Sequence, residues 1–254
     1  MKRFFSLILI LGISAYGFSQ KTFLDSARSI PSFKVFYAYQ IPGGDIAKRF
    51  GGNSEVGGGF QWKSKGNLVF GFDFNFLFGG NVKESNIFDS IITTNTDGTP
   101  GYIIDGNGTY AELRLYERGY CPMIYAGKLF PLFGPNRNSG LVVQIGGGVL
   151  IHKIRIENPE NVAPQIKDEY KKGYDRYSTG YSLSQFVGYS QIGNSRLLSF
   201  RVGFEFIQGW TVNRRFNFDL KSIDNTTHPD FLYGLKFTWM IPAYSRPLEK
   251  FYYN

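Results

Sequence analysis

LVFGFDFNFLFG, Leu68 to Gly79, is the stretch whose reading decides the fold. Phe70, Phe72, Phe74, Phe76 and Phe78 fall on every second position, while Gly71, Asp73, Asn75 and Leu77 occupy the positions between them. Successive side chains of a strand point to opposite faces, so this segment sets a wall of phenylalanine against a small, polar face. Such a strand suits a barrel with hydrocarbon outside and a polar lumen inside. A soluble sandwich strand also alternates, so the recurrence of the pattern has to settle the matter.

It recurs along the chain. Leu198, Phe200, Val202, Phe204 and Phe206 alternate with Ser199, Arg201, Gly203 and Glu205; Phe231, Tyr233, Leu235, Phe237, Trp239 and Ile241 alternate with Leu232, Gly234, Lys236, Thr238 and Met240. Weaker versions run through Phe33 to Ile41, Glu55 to Lys63, Leu141 to His152 and Tyr181 to Ser190. The least regular stretch is Thr109 to Leu129, where Leu113 and Leu115 oppose Glu112 and Arg114 before the phase is lost near Gly119 to Pro122. A bulge or distortion is expected there. Together these make eight candidate strands, each near the ~9–11 residues that a tilted membrane strand requires.

The connections alternate in length. Ser64 to Asn67 and Gly193 to Ser195 are tight, and Phe130 to Ser139 is moderate; Pro42 to Ser54, Gly80 to Gly108, Glu157 to Asp175 and Trp210 to Asp230 are long. Short periplasmic turns and long external loops give bacterial barrels this rhythm, with both termini in the periplasm. The expected fold is therefore all-β: an eight-stranded antiparallel up-and-down transmembrane β-barrel, spanning residues 33–242, with a side-chain-filled lumen.

The N-terminus agrees with export. Lys2 and Arg3 precede an apolar run from Phe4 to Ile13, and Gly17 and Ser19 stand two apart ahead of Gln20, the layout of a cleavable secretory signal over residues 1–19. Residues 20–32 are then a periplasmic segment and 243–254 a periplasmic tail. No later run of eighteen apolar residues offers a spanning helix. The single Cys121 excludes an internal disulfide framework. The formal charge of +8 falls by two when Lys2 and Arg3 are removed, and the remaining cations are scattered, so no nucleic-acid partner is expected.

The interior of an eight-stranded barrel is only wide enough for its own side chains. The inward set Asp73, Glu112, Arg114, Arg201, Glu205 and Lys236 carries both signs and should pair across the lumen as a plug, since an unpaired charge there is costly. The lipid-facing set is Phe70, Phe72, Phe74, Phe76, Phe200, Phe204, Phe237 and Trp239. Gly57 to Gly59 and Gly146 to Gly148 lack the Lys-Ser/Thr ending of a phosphate loop, so they are read as relief of crowding.

Candidate chemistry is sparse. His152 lies on the inward side of a strand, with Ser178 or Ser182 on the next one, and a Ser–His pair plus a carboxylate is the minimum for acyl hydrolysis. A lone histidine at a barrel rim is more often a hydrogen-bonded wall residue, and His228 reads as solvated loop sequence. Asp105 to Thr109 places oxygen ligands at alternate positions but lacks the downstream glutamate of a calcium loop. No metal and no cofactor are expected. Partner contact is assigned instead to the mixed-charge loop Glu157 to Arg176, with Tyr170 and Tyr174, and to the aromatic ending Phe251, Tyr252 and Tyr253.

In the segments Ile41 to Phe50, His152 to Glu157 and Lys172 to Arg176, and in its Phe-Tyr-Tyr-Asn ending, the chain resembles the small, aromatic-rich outer-membrane barrels of Bacteroidota. That group includes accessory barrels of type IX secretion (the PorG type) and of outer-membrane assembly complexes. The resemblance implies a non-enzymatic accessory or scaffold subunit, in contact with outer-membrane lipid, lipopolysaccharide and protein partners. A lipid A-modifying enzyme built on His152 and a narrow channel are the alternatives.

Overall fold

The computed structural model describes residues 26–84, 86–95, 101–159, 163–193 and 198–243. The proposed signal and the C-terminal aromatic residues lie outside these. Among the described residues eleven strands form: β1 (Ile30–Gly44), β2 (Asn53–Lys63), β3 (Leu68–Gly79), β4 (Arg114–Tyr120), β5 (Met123–Phe130), β6 (Gly140–Glu157), β7 (Ser178–Gln191), β8 (Ser199–Asn213), the short β9 (Phe216–Asn217) and β10 (Ser222–Ile223), and β11 (Thr227–Pro242). β4 and β5 occupy one position between β3 and β6, and β9 and β10 form a separate hairpin, so eight strand positions remain. Each pairs antiparallel with its sequence neighbours, and the sheet closes where β1 meets β11, from Ser32↔Pro242 to Gly44↔Asp230. Closure leaves no strand edge unpaired, as a sheet in hydrocarbon requires.

The side-chain alternation partitions as expected. Phe70, Phe72, Phe74, Phe204, Phe237 and Trp239 are exposed on the outer wall, with Phe76 and Phe200 half-buried among them. Phe204 is 72% exposed between the outward Val187 and Leu235, and Ile145 is 60% exposed between Ala126 and Gln185. A soluble protein rarely exposes so continuous an apolar surface. The even-numbered residues of β1 and odd-numbered residues of β2 and β8 point inward, which buries Lys34, Glu55, Arg201 and Glu205.

The irregular fourth strand is interrupted but not bulged. Tyr120 pairs with Phe76 and Met123 with Asp73, so two residues on each side span the break and no residue is inserted. Pro122 has no N–H to give the ladder; its carbonyl accepts from Val149 N at 3.2 Å, and Cys121 N donates to Asn75 O at 2.9 Å. The phase expected for this strand is reversed. Leu115, Glu117, Gly119, Cys121 and Met123 face inward, while Arg114 is exposed and Glu112 lies in the loop before the strand. Glu112 and Arg114 therefore do not belong to the lumen charges and pair with each other on the outside, at 2.8 Å. The reason is height. This end of β4 stands above the apolar belt, where the interior is a hydrophobic core under the loops and the exterior is polar.

The described parts of the external loops, 45–52, 80–84, 86–95, 101–113, 158–159, 163–177 and 214–226, fold over the mouth rather than extending from it. After β1 the chain turns at Gly44 (φ 68), where a side chain would collide with the Pro229 carbonyl, and enters a short helix α1 (Ile46–Arg49). Ile46 and Phe50 are fully buried and join Leu77, Ile87, Phe88, Leu150, Ile154, Ile166 and Tyr174 in one core spanning loops and barrel. At the opposite end Lys63 donates to Asn138 at 2.9 Å and to the Arg28 carbonyl at 3.1 Å, tying the β5–β6 turn to the chain ahead of β1. Both ends of the barrel are thus covered.

One glycine of the first triplet shows why it is needed. A Cβ on Gly57 would lie 2.5 Å from the Phe36 ring, which is itself buried inside the lumen. Gly57→Leu should force that ring aside and destabilise the barrel by about 1–3 kcal/mol, the usual cost of overpacking; a lower urea midpoint for the heat-modifiable folded band checks this.

Candidate functional site

The middle of the lumen holds three cations and three anions in one cluster. Lys34 Nζ lies 2.7 Å from Asp73 Oδ1 and donates to Oδ2 at 2.9 Å. Lys236 Nζ bridges Glu55 at 2.9 Å and Glu205 at 2.9 Å, and also lies 4.0 Å from the centre of the Phe36 ring. Arg201 donates to Gln61 at 2.6 Å and Gln144 at 3.0 Å and sits over Phe186. Glu55 also accepts from Gln40 at 2.6 Å and Asn75 at 2.8 Å. Buried charges persist when paired or hydrogen-bonded; the two lysines are ion-paired with carboxylates, and Arg201 is held by the neutral amides of Gln61 and Gln144.

The sequence located Asp73, Arg201, Glu205 and Lys236 in this cluster and missed Lys34 on β1 and also Glu55. Its parity on β2, shared with Gln61 and Lys63, was the available signal, weakened by the glycines beside it. Between the charges remains a cavity of about 20 Å³, lined by Lys34, Asp73, Tyr125, Arg201 and Lys236 among others. That is room for about one water molecule. The plug reading fits this geometry, and a continuous pore does not.

Above the ionic layer, His152 Nε2 lies 3.0 Å from Asp230 Oδ2, which also accepts from Thr211 Oγ1 at 2.6 Å. Phe50 covers the imidazole edge-on at 5.9 Å between ring centres. This supplies a histidine and its orienting carboxylate. The serines are engaged elsewhere: Ser178 Oγ donates to the Arg176 carbonyl at 3.1 Å and accepts from Arg49, and Ser182 contacts Cys121. His152 Nδ1 has no hydrogen-bond partner among the described residues.

The loops are locked to one another by ions that the sequence left as surface charge. Arg176, buried, pairs with Glu84 at 2.8 Å from the second loop and with Asp219 from the fourth. Arg215 pairs with Asp175, and Arg49 approaches Glu84 at 3.6 Å. Tyr174 is not free for partners; it is buried between Phe88 and Phe218, at 5.7 and 5.3 Å. Tyr170 remains 61% exposed. His228 is likewise not loose loop sequence: Nδ1 lies 3.1 Å from Asp45 and Nε2 2.8 Å from Asp224, clasping the fourth loop to α1. Asp105 uses its carboxylate within its own turn, accepting from Asn107 N and Thr109 N at 2.8 Å each and from Thr109 Oγ1 at 2.7 Å. No cluster of three metal-ligating side chains occurs among the described residues.

A closed sheet of eight strand positions, an apolar outer wall, a paired ionic interior and long loops at one end only are decisive together. This is an outer-membrane β-barrel. Its fold is similar to the crystal structure of neisserial surface protein A, with a TM-score of 0.40 and 11% identity, covering 83% of this chain and 96% of that one. It is also similar to Ail, the attachment invasion locus protein of Yersinia pestis, with a TM-score of 0.38 and 9% identity over 83% of this chain and 99% of that one. A further structure of Ail, in complex with the heparin analogue sucrose octasulfate, gives a TM-score of 0.37 at 9% identity, with the same coverage. No protein-family model and no curated protein matches the sequence.

Lys236→Met would leave Glu55 and Glu205 buried without their cation. A loss of about 3–5 kcal/mol in urea unfolding is expected, as for one partner removed from a buried pair, with part recovered in the Lys236→Met/Glu55→Gln/Glu205→Gln triple variant. Burial pushes the Asp224 carboxyl up, but hydrogen bonds from Thr226 and His228 outweigh it and hold it at about 2. A depressed carboxylate stabilises above its unfolded value of about 3.9 and loses that contribution as pH falls through the folded one. The clasp should therefore hold at pH 4 and release towards pH 2. Pepsin cleavage within 214–226 would rise over that interval in the wild type and already be high at pH 4 in Asp224→Asn.

Proposed function

We propose that this barrel is a non-enzymatic scaffold or accessory subunit of an outer-membrane protein complex, of the secretion or barrel-assembly kind. The observation that carries the reading is the loop cap. Buried ion pairs hold it in one shape, yet it displays Leu220 and Ile223 on the fourth loop and Tyr102 and Tyr110 on the second, all around half exposed or more. The two tyrosine rings lie 4.5 Å apart. Apolar and aromatic side chains fixed on a rigid surface are what a protein partner buries, because little conformational entropy is lost on binding. The filled lumen supports the same reading, since the cavity left between its charges holds about one water molecule. Tyr170 extends the surface on the third loop.

The test is affinity purification in mild detergent with the Leu220→Asp/Ile223→Asp variant run in parallel. A partner recovered with the wild type at near-equal amounts, and reduced on the order of tenfold with the variant, is expected from the loss of interface core residues. Recovery of the barrel alone from wild-type membranes would sink the proposal.

A further inference from the structure

The cations on the outer wall near the external end are gathered on one side. On β4 the outward residues ascend Tyr120, Arg118, Tyr116, and on β6 they ascend Ile151, Lys153, Arg155, with Arg118 paired to Lys153 and Tyr116 to Arg155 in the ladder. On β1, β8 and β11 the outward residues Ile41, Trp210, Phe231 and Tyr233 are uncharged. Arg118, Lys153 and Arg155 line a groove of about 500 Å³ whose other walls are Phe76, Tyr120, Ile151 and Tyr177. No acidic side chain lines it.

The polarity of this groove is graded along the membrane normal. Its lower part is apolar, with Tyr120 packed on Phe76 at 5.3 Å and on Phe74 at 5.7 Å between ring centres. Its upper part is cationic. Lys153 and Arg118 make no salt bridge among the described residues, and Arg155 contacts Glu157 at 3.0 Å while remaining more than half exposed. Arg118 is braced rather than neutralised: it donates to the Glu117 carbonyl at 2.7 Å and lies 5.2 Å from the Tyr116 ring centre. Three cations on adjacent outward positions repel one another, and that arrangement is relieved by an anion placed between them.

We infer that this groove binds a phosphorylated lipid of the outer leaflet, its acyl chain against Phe76, Tyr120 and Ile151 and its phosphate between Arg118, Lys153 and Arg155. Arginine offers a forked donor set that matches phosphate, and lysine adds a point charge. Tyr120 and Tyr177 border the groove, and tyrosine is the residue type that forms aromatic girdles at the membrane interfaces of such barrels. The inference rests on the membrane orientation alone and is independent of the subunit reading.

The experiment is native mass spectrometry of the detergent-purified barrel titrated with bisphosphorylated lipid A, beside the Arg118→Gln/Lys153→Gln/Arg155→Gln variant and a Lys48→Gln control on the cap. Heat-modifiable migration establishes that each variant is folded. Binding weakened on the order of a hundredfold in the triple variant, and unchanged in the control, is expected for three membrane-surface cations. Equal binding by the triple variant would overturn the inference. So would equal binding of dephosphorylated lipid A, and so would full competition by inorganic phosphate at matched concentration, which would show recognition of the anion without the lipid.

Discussion

The pairing of every backbone N–H and C=O within a sheet that meets itself is the constraint on which the rest depends. In hydrocarbon no water can satisfy a loose strand edge, and the ladder between β1 and β11 removes the last one. Once the sheet is closed, the period of two forces alternate residues inward whatever their chemistry. The polarity of an ordinary domain is then inverted. Phenylalanine lies outside, and lysine, arginine and glutamate lie in the interior, where they must neutralise each other. The Lys236 bridge between Glu55 and Glu205 is a consequence of closure as much as of local sequence.

The interior is layered along its axis. A polar clamp through Lys63 and Asn138 closes the periplasmic end. The balanced ionic cluster fills the middle. Above it the lumen becomes apolar and merges with the loop cap through Ile46, Phe50 and Leu150. That upper core makes the external loops an integral part of the fold. Arg176, reaching Glu84 and Asp219 on two other loops, fixes their mutual positions where apolar packing alone would allow sliding. The histidine–aspartate pair is enclosed between these layers, beneath Phe50. Both surfaces proposed to act lie on the outside of the molecule: the cap facing the medium and the wall facing lipid.

Legibility varied with distance from the membrane midplane. Where hydrocarbon surrounds the sheet, alternation is strict, and Phe70 to Phe78, Phe200 to Phe206 and Phe231 to Ile241 are read without error of phase. Toward the external end the rule weakens, because the exterior becomes polar while the interior becomes a core. Leu115 then points inward and Arg114 outward, opposite to the reading that hydrocarbon would impose. Tyr174 misled in a similar way: among charged loop neighbours it reads as surface, yet two loop aromatics, Phe88 and Phe218, enclose it. Glycines flanking Glu55 blurred a parity that was correct.

What the sequence determined by itself was strand number, the face of each membrane-embedded residue, and the ends at which long and short connections lie. These follow from local periodicity and from hydrogen-bond satisfaction, which act on neighbours in the chain. The tertiary structure decided which charges pair, how Cys121 and Pro122 interrupt a strand without shifting its register, and that Arg118, Lys153 and Arg155 converge above an apolar groove. Those features join residues from different strands and loops. Their distances are set by closure and by the loop cap, neither of which any single segment encodes.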